Sequence, residues 1–214
     1  LFGDPKRLRD ISQTVGRLQI IYAGKAHPRD EPGKDQIRRI FGYAAELNGP
    51  TLKIVYVEDY DVRWGRLLTA GVDLWLNTPH KPFEASGTSG MKAAINGVPS
   101  LSVLDGWWIE GWLEGATGWA IGTDGEIHEA QAEEEVDSLY MQLRKITEMY
   151  YRNPAAYAEV MRAAIAINGS FFNTQRMVDQ YVANAYTQFE APDATAPSEA
   201  PGMSRTPVLR ESLT

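Results

Sequence analysis

Between residues 18 and 104 the chain alternates short apolar runs with amphipathic stretches, and this order constrains the fold more than any other feature. Residues 18–23, LQIIYA, are apolar and β-rich and stop at Gly24, as a buried strand does. Within 32–47, Ile37, Ile40, Phe41, Ala44 and Leu47 have the three- and four-residue spacing of one helix face, which Asn48-Gly49-Pro50 ends. A strand at 52–57 follows, then a helix through Val62, Leu67 and Leu68 closed by Gly71, and a short strand at 72–76. A helix over 88–96 closed by Gly97 and a strand at 101–104 complete the series, with Trp119-Ala120-Ile121 as a further strand. Asp4-Pro5 opens a capped helix through Leu8, Ile11 and Val15 ahead of them all. Such alternation predicts an α/β fold: a Rossmann-like parallel sheet with helices on both faces. Ligands of these sheets bind at the carboxyl ends of the strands, where Gly24-Lys25, Glu58-Asp59-Tyr60, Asn77-Thr78 and Asp105-Gly106 fall.

After Gly125 the pattern turns helical, over 132–151, 155–166 and 173–189, with breaks at Asn153-Pro154 and Asn168-Gly169. Beyond 190, four prolines stand among Ala, Ser, Thr and Glu, the composition of a disordered tail. A 214-residue chain with 43% hydrophobic content buries one good core, so one domain over 1–189 and a tail over 190–214 are expected. A net charge of -7 argues against a nucleic-acid partner. The absence of cysteine excludes a disulfide framework and fits a cytoplasmic protein. The sequence shows no apolar run of membrane length and no pair of histidines at helical ligand spacing, so neither membrane nor metal is expected.

Chemistry concentrates in Glu84-Ala85-Ser86-Gly87-Thr88-Ser89-Gly90-Met91-Lys92. Its small residues allow close approach to the backbone, and its carboxylate, hydroxyls and ammonium supply polar contacts. Thr88 or Ser89 is the expected N-cap of the helix that follows, so that free N–H groups face an anion over the loop. Lys92 shares a face with Thr88, and an ammonium near the positive end of a helix is biased toward its neutral form, a nucleophile for carbonyls. Residue types alone leave a second reading open, a strand-to-helix turn with a solvated lysine.

The run EASGTSGMKAAINGVPSLSVLDGW, together with AGKAHPRDEPGK at 23–34, VEDYDV at 57–62, DLWLNTP at 73–79, GWAIG at 118–122 and NGSFFNTQRMV at 168–178, resembles the glycogen and α-glucan phosphorylases. Ser89-Gly90 stands where the animal enzymes have Gly-Asn, which resembles the shorter bacterial or archaeal branch. The resemblance implies the carboxy-terminal domain of a two-domain glycosyltransferase (GT-B type), with helices that cross back to brace the amino-terminal half. It implies pyridoxal 5'-phosphate carried on Lys92, with Thr88, Ser89 and Tyr60 as further cofactor contacts. Glu84, Ser86 and Gly87 would hold the glucosyl unit, so that Lys92 and Glu84 are the catalytic candidates. The reaction implied is reversible phosphorolysis of α-1,4-glucan by inorganic phosphate to α-D-glucose 1-phosphate, with retention. In it the cofactor's phosphate exchanges a proton with the substrate phosphate, and Lys92 is an anchor.

The opening at Leu1, without a methionine, leads us to expect a fragment that starts just after a basic run of the family's active site. An isolated fragment is then expected to be inactive without its amino-terminal domain, and to self-associate as a homo-oligomer through uncovered apolar faces. Two alternatives stand beside this reading. A sugar-nucleotide-dependent glycosyltransferase of the same architecture uses two glutamates at the separation of Glu84 and position 92, but Lys92 occupies the second. A non-catalytic glucan-binding fragment is the other. Lys25 and His27 read as solvated loop residues, and Trp107, Trp108 and Trp112 either offer aromatic faces to sugars or are buried.

Overall fold

A computed structural model of the chain describes residues 1–123 and 131–186, and the tail expected over 190–214 lies outside them. The elements are α1 (Pro5–Thr14), β1 (Leu18–Ala23), α2 (Glu31–Leu47), β2 (Leu52–Val57), α3 (Val62–Gly71), β3 (Trp75–Asn77), α4 (Thr88–Ile95), β4 (Ser100–Val103), α5 (Trp108–Gly111), β5 (Gly118–Ile121), α6 (Gln131–Arg152), α7 (Pro154–Ala163) and α8 (Thr174–Tyr181). Acidic or amide side chains start four of the helices by accepting first-turn amides: Asp4 from Lys6 and Arg7, Asp30 from Gly33, Asp61 from Trp64, and Asn153 from Ala156. Asn153-Pro154 breaks the helices as expected. Asn168-Gly169 does not, because α7 runs on as a π-helical segment, Ala164–Gly169, and the break comes at Phe172 and Asn173.

Among the described residues all strand pairs are parallel, but they form two sheets and not the single one expected: β1 with β2, and β3-β4-β5 in that order. Nor does every sheet face carry a helix. Gln19, Ile21, Lys53 and Val55, one face of the β1–β2 pair, are exposed, with Ile21 at 42% and Val55 at 39%. The opposite face joins one core that spans both sheets, in which Leu52 and Ile54 cluster with Leu101, Val103, Trp119 and Ile121. Leu8 and Ile11 of α1, Leu139, Tyr140 and Ile146 of α6, and Tyr157 and Val160 of α7 complete it.

α6 closes the fold by reaching back to its start. The Tyr140 hydroxyl donates to the Leu1 carbonyl at 2.5 Å and accepts from the Asp4 amide at 3.0 Å, and Arg144 pairs with Asp10 of α1. The contacts divide the chain into two compact units, Leu1–Thr174 and a second that begins at Gln175. The described part of the second holds most of α8 and a π-helical segment, Val182–Tyr186; the end of the helix expected to 189 lies outside the described residues.

Candidate active site

Because β3 and β4 run parallel, the segments after them emerge on one rim, 78–87 from β3 and 104–107 from β4. Short bonds join the two. The buried Asp105 carboxylate accepts the Glu84 amide through Oδ2 and the Gly106 amide through Oδ1, each at 2.9 Å. The Trp107 amide donates to the Ser86 carbonyl at 2.8 Å. Gly106 has φ +55, and a Cβ there would stand 2.6 Å from the Ser86 carbonyl oxygen, so only glycine permits both the turn and the contact.

α4 starts at Thr88 with Gly87 as its N-cap at φ +82, and no side chain caps it. The expected cap at Thr88 or Ser89 is therefore corrected: both are first-turn helical residues, and an N-cap must have non-helical dihedrals. Asn96 and Gly97 end the helix with the paired bonds of a Schellman motif, Gly97 N–H to Ala94 O and Val98 N–H to Ala93 O, each at 2.9 Å. Lys92 thus lies in the last turn of an eight-residue helix, away from its positive end, and the dipole reasoning made from sequence does not apply to it. Its side chain is exposed, and its Nζ has no hydrogen bond or ion pair among the described residues. The same holds for the half-buried Glu84 and Ser86 side chains and for the exposed Thr88 and Ser89 hydroxyls.

The structure brings Glu84, Ser86, Gly87, Thr88, Ser89 and Lys92 together on one loop and one helix. Tyr60 comes from the end of β2, and its hydroxyl lies over the first turn of α3, 2.8 Å from where a Gly65 Cβ would stand; α3 packs on α4. Lys25 pairs with Asp59 at 2.7 Å, and this ammonium holds the Asp59 carboxyl below its usual range. His27 accepts the Arg29 amide within its own loop.

Two of the three tryptophans resolve in favour of burial, while Trp112 is half-buried and its indole N–H donates to Glu114 at 3.0 Å. Trp107 and Trp108 are 6% and 1% exposed, and the indole of Trp107 fills the space that Gly87 and Gly90 leave open. A Gly90 Cβ would be 2.8 Å from Trp107 Nε1, so this glycine admits an indole, where the sequence suggested a ligand. Asp105 was placed at a strand end and Trp107 among the candidate aromatics, but nothing in the sequence showed that they bond to the 84–92 segment. The only local signal was Asp-Gly directly after a strand. No cluster of three or more potential metal ligands occurs among the described residues, and no helix among them is long and apolar enough to cross a membrane.

The sequence profile of the carbohydrate phosphorylase family matches residues 6–180. Among curated relatives, the maltodextrin phosphorylase of Thermococcus litoralis is 42% identical over 192 residues, covering 88% of this chain and 23% of its own length. The glycogen phosphorylase of Aquifex aeolicus is 41% identical over 197 residues, covering 88% and 28%. That of Mycobacterium tuberculosis is 38% identical over 197 residues, covering 87% and 22%. The chain spans about a quarter of the length of these relatives.

Proposed function

The chain belongs to the carbohydrate phosphorylase family, and from that premise we propose that it is the cofactor-bearing part of an α-glucan phosphorylase that binds pyridoxal phosphate through Lys92. The observation that carries this reading is the contrast within 84–92. Its backbone is tied down from a second loop, while the Glu84 carboxylate, the Ser86, Thr88 and Ser89 hydroxyls and the Lys92 ammonium are unpaired. Unpaired polar groups on a fixed backbone suit an arriving ligand.

The residues fit pyridoxal phosphate. An uncapped helix start with two hydroxyls in its first turn matches a phosphate, and an accessible amine one turn on matches an aldehyde. When bound, the cofactor supplies a phosphate that titrates near neutrality and suits proton exchange with a second phosphate. The protein's own part is local. Lys92 anchors, Thr88 and Ser89 donate hydrogen bonds from hydroxyl and backbone, and Glu84 and Ser86 accept from sugar hydroxyls beside the anion. The substrates in this reading are α-1,4-glucan and inorganic phosphate, the product is α-glucose 1-phosphate formed with retention, and the remaining contacts come from polypeptide outside these residues. The isolated chain is then inactive, since a site between two domains needs groups from both.

The test is reduction with borohydride after incubation with pyridoxal phosphate, followed by peptide mapping. Label at Lys92 above the other lysines is expected; label elsewhere, or none, would sink the assignment. Glucose 1-phosphate formation from maltodextrin and phosphate is expected only when the rest of the polypeptide is present.

A further inference from the structure

We propose that Asp105 and Trp107 are positioning residues, which hold the 84–92 segment in its binding shape before any ligand arrives. The proposal rests on the reading of that segment as a sugar and cofactor site, and it assigns the part of the fold that keeps the site in order.

The two residues act at different places. Asp105 is 7% exposed, and each of its carboxylate oxygens is committed to one backbone amide, those of Glu84 and Gly106, at 2.9 Å. A carboxylate that accepts backbone amides out of water makes strong, directional bonds. Trp107 adds its own amide bond to the Ser86 carbonyl at 2.8 Å. Glu84 and Ser86, the residues whose side-chain acceptors are open, are therefore fixed through their backbones from the other loop. The indole then fixes the first turn of α4. It lies against Gly87 and Gly90, whose added Cβ atoms would be 3.2 Å from Cδ1 and 2.8 Å from Nε1. Trp107 is held in turn by Trp108 and Phe172, at ring-centroid distances of 5.1 and 5.2 Å. None of these contacts uses an atom that the ligands need. Ordering is completed in the free protein, so binding does not have to supply it.

The experiment uses the 214-residue chain with pyridoxal phosphate as the probe, in wild type, Asp105→Asn, Trp107→Ala and Trp107→Phe. After borohydride reduction, label at Lys92 is divided by label at the exposed Lys6 and Lys53, and the ratio is read only under conditions where denaturation curves show each variant folded, because unfolding alone would also lower it. Asp105→Asn presents an amide where two backbone donors converge, and the ratio is expected to fall about tenfold. Trp107→Ala is expected to fall similarly, and Trp107→Phe, which refills the face on Gly87 and Gly90, to recover most of the loss. In parallel, amide exchange over 84–90 without cofactor is expected to quicken about tenfold in the Asn and Ala variants. A wild-type ratio in Asp105→Asn, an isosteric change, overturns the proposal. If wild type shows no preference for Lys92, the cofactor reading fails by itself, and unchanged exchange over 84–90 in Asp105→Asn then overturns the positioning role.

Discussion

Glu84 and Glu114 stand on either side of the same tryptophan-rich stretch, and the fold treats them in opposite ways. Glu114 is saturated. Its Oε2 accepts from Trp112 Nε1 at 3.0 Å and from the Ala120 amide at 3.2 Å, and its Oε1 from Gln142 at 2.9 Å and Lys145 at 3.4 Å. Burial pushes its carboxyl up, but the bonds from Trp112, Gln142, Ala120 and Lys145 outweigh that and hold it below the usual range. Glu84 has no partner for its carboxylate among the described residues, and only its amide is held, by Asp105. The lysines repeat the contrast, with Lys25 on Asp59 and Lys92 unpaired. A charge that joins elements of the fold is given donors or acceptors. In the proposed reading, one kept for a ligand is left open on a fixed backbone.

The largest effect that can break this comparison is expected at the lysines. Lys92→Ala should remove labelling by pyridoxal phosphate at that position and abolish turnover in the full-length protein, with the unfolding free energy within about 0.5 kcal/mol of wild type, as for an exposed side chain without partners. Lys25→Ala should leave label at Lys92 unchanged. Loss of the Lys92 label in the Lys25 variant would show that the two sites are coupled.

The glutamates come next, and they should separate activity from stability. Glu84→Gln in the full-length protein is expected to lower kcat/KM about ten- to a hundredfold, the effect of one charged hydrogen bond to a sugar hydroxyl, without moving the midpoint. Glu114→Gln places an amide group among four donors and should destabilise by about 1 kcal/mol, a value kept small because the side chain is 38% exposed. Its kcat/KM should stay near wild type. If the two variants exchange these signatures, open and saturated carboxylates do not mark ligand and fold.

The sequence was most informative where the signal was local, although the break expected at Asn168-Gly169 falls inside a continuous helical run. Helix periodicity, the Asp4-Pro5 start of α1 and the residue types of 84–92 are properties of neighbouring positions, and most of the elements and the motif follow from them. Pairing between distant segments was not legible. Nothing in the apolar runs says that β1 and β2 pair apart from β3, β4 and β5, or that the Ile21 and Val55 face stays open. Gly90 and Trp107 meet only because β4 returns beside β3, so the reason for a glycine at that position lies seventeen residues along the chain. The cap of α4 was misplaced for a smaller reason: Gly87 takes the left-handed conformation, which moves the cap one residue earlier than a hydroxyl preference suggests.

The smallest effect sharpens the comparison through pH. A carboxyl held below its usual range in the folded chain stabilises the fold only while it is ionised. Its contribution is complete above the ordinary glutamate range, where both folded and unfolded chains carry the charge. It is lost as pH falls through the lowered folded value, because the unfolded chain takes up the proton first. Denaturant midpoints of wild type and Glu114→Gln, measured in steps from about pH 7 to about pH 3, should therefore differ most at the neutral end and converge at the acid end. Asp59 and Glu159 are also held low, by Lys25 and Arg162, but both variants keep them, so the difference isolates Glu114. A gap between wild type and Glu114→Gln that widens toward acid would mean that burial and not the four donors governs Glu114, and the contrast between the two glutamates would lose its electrostatic basis.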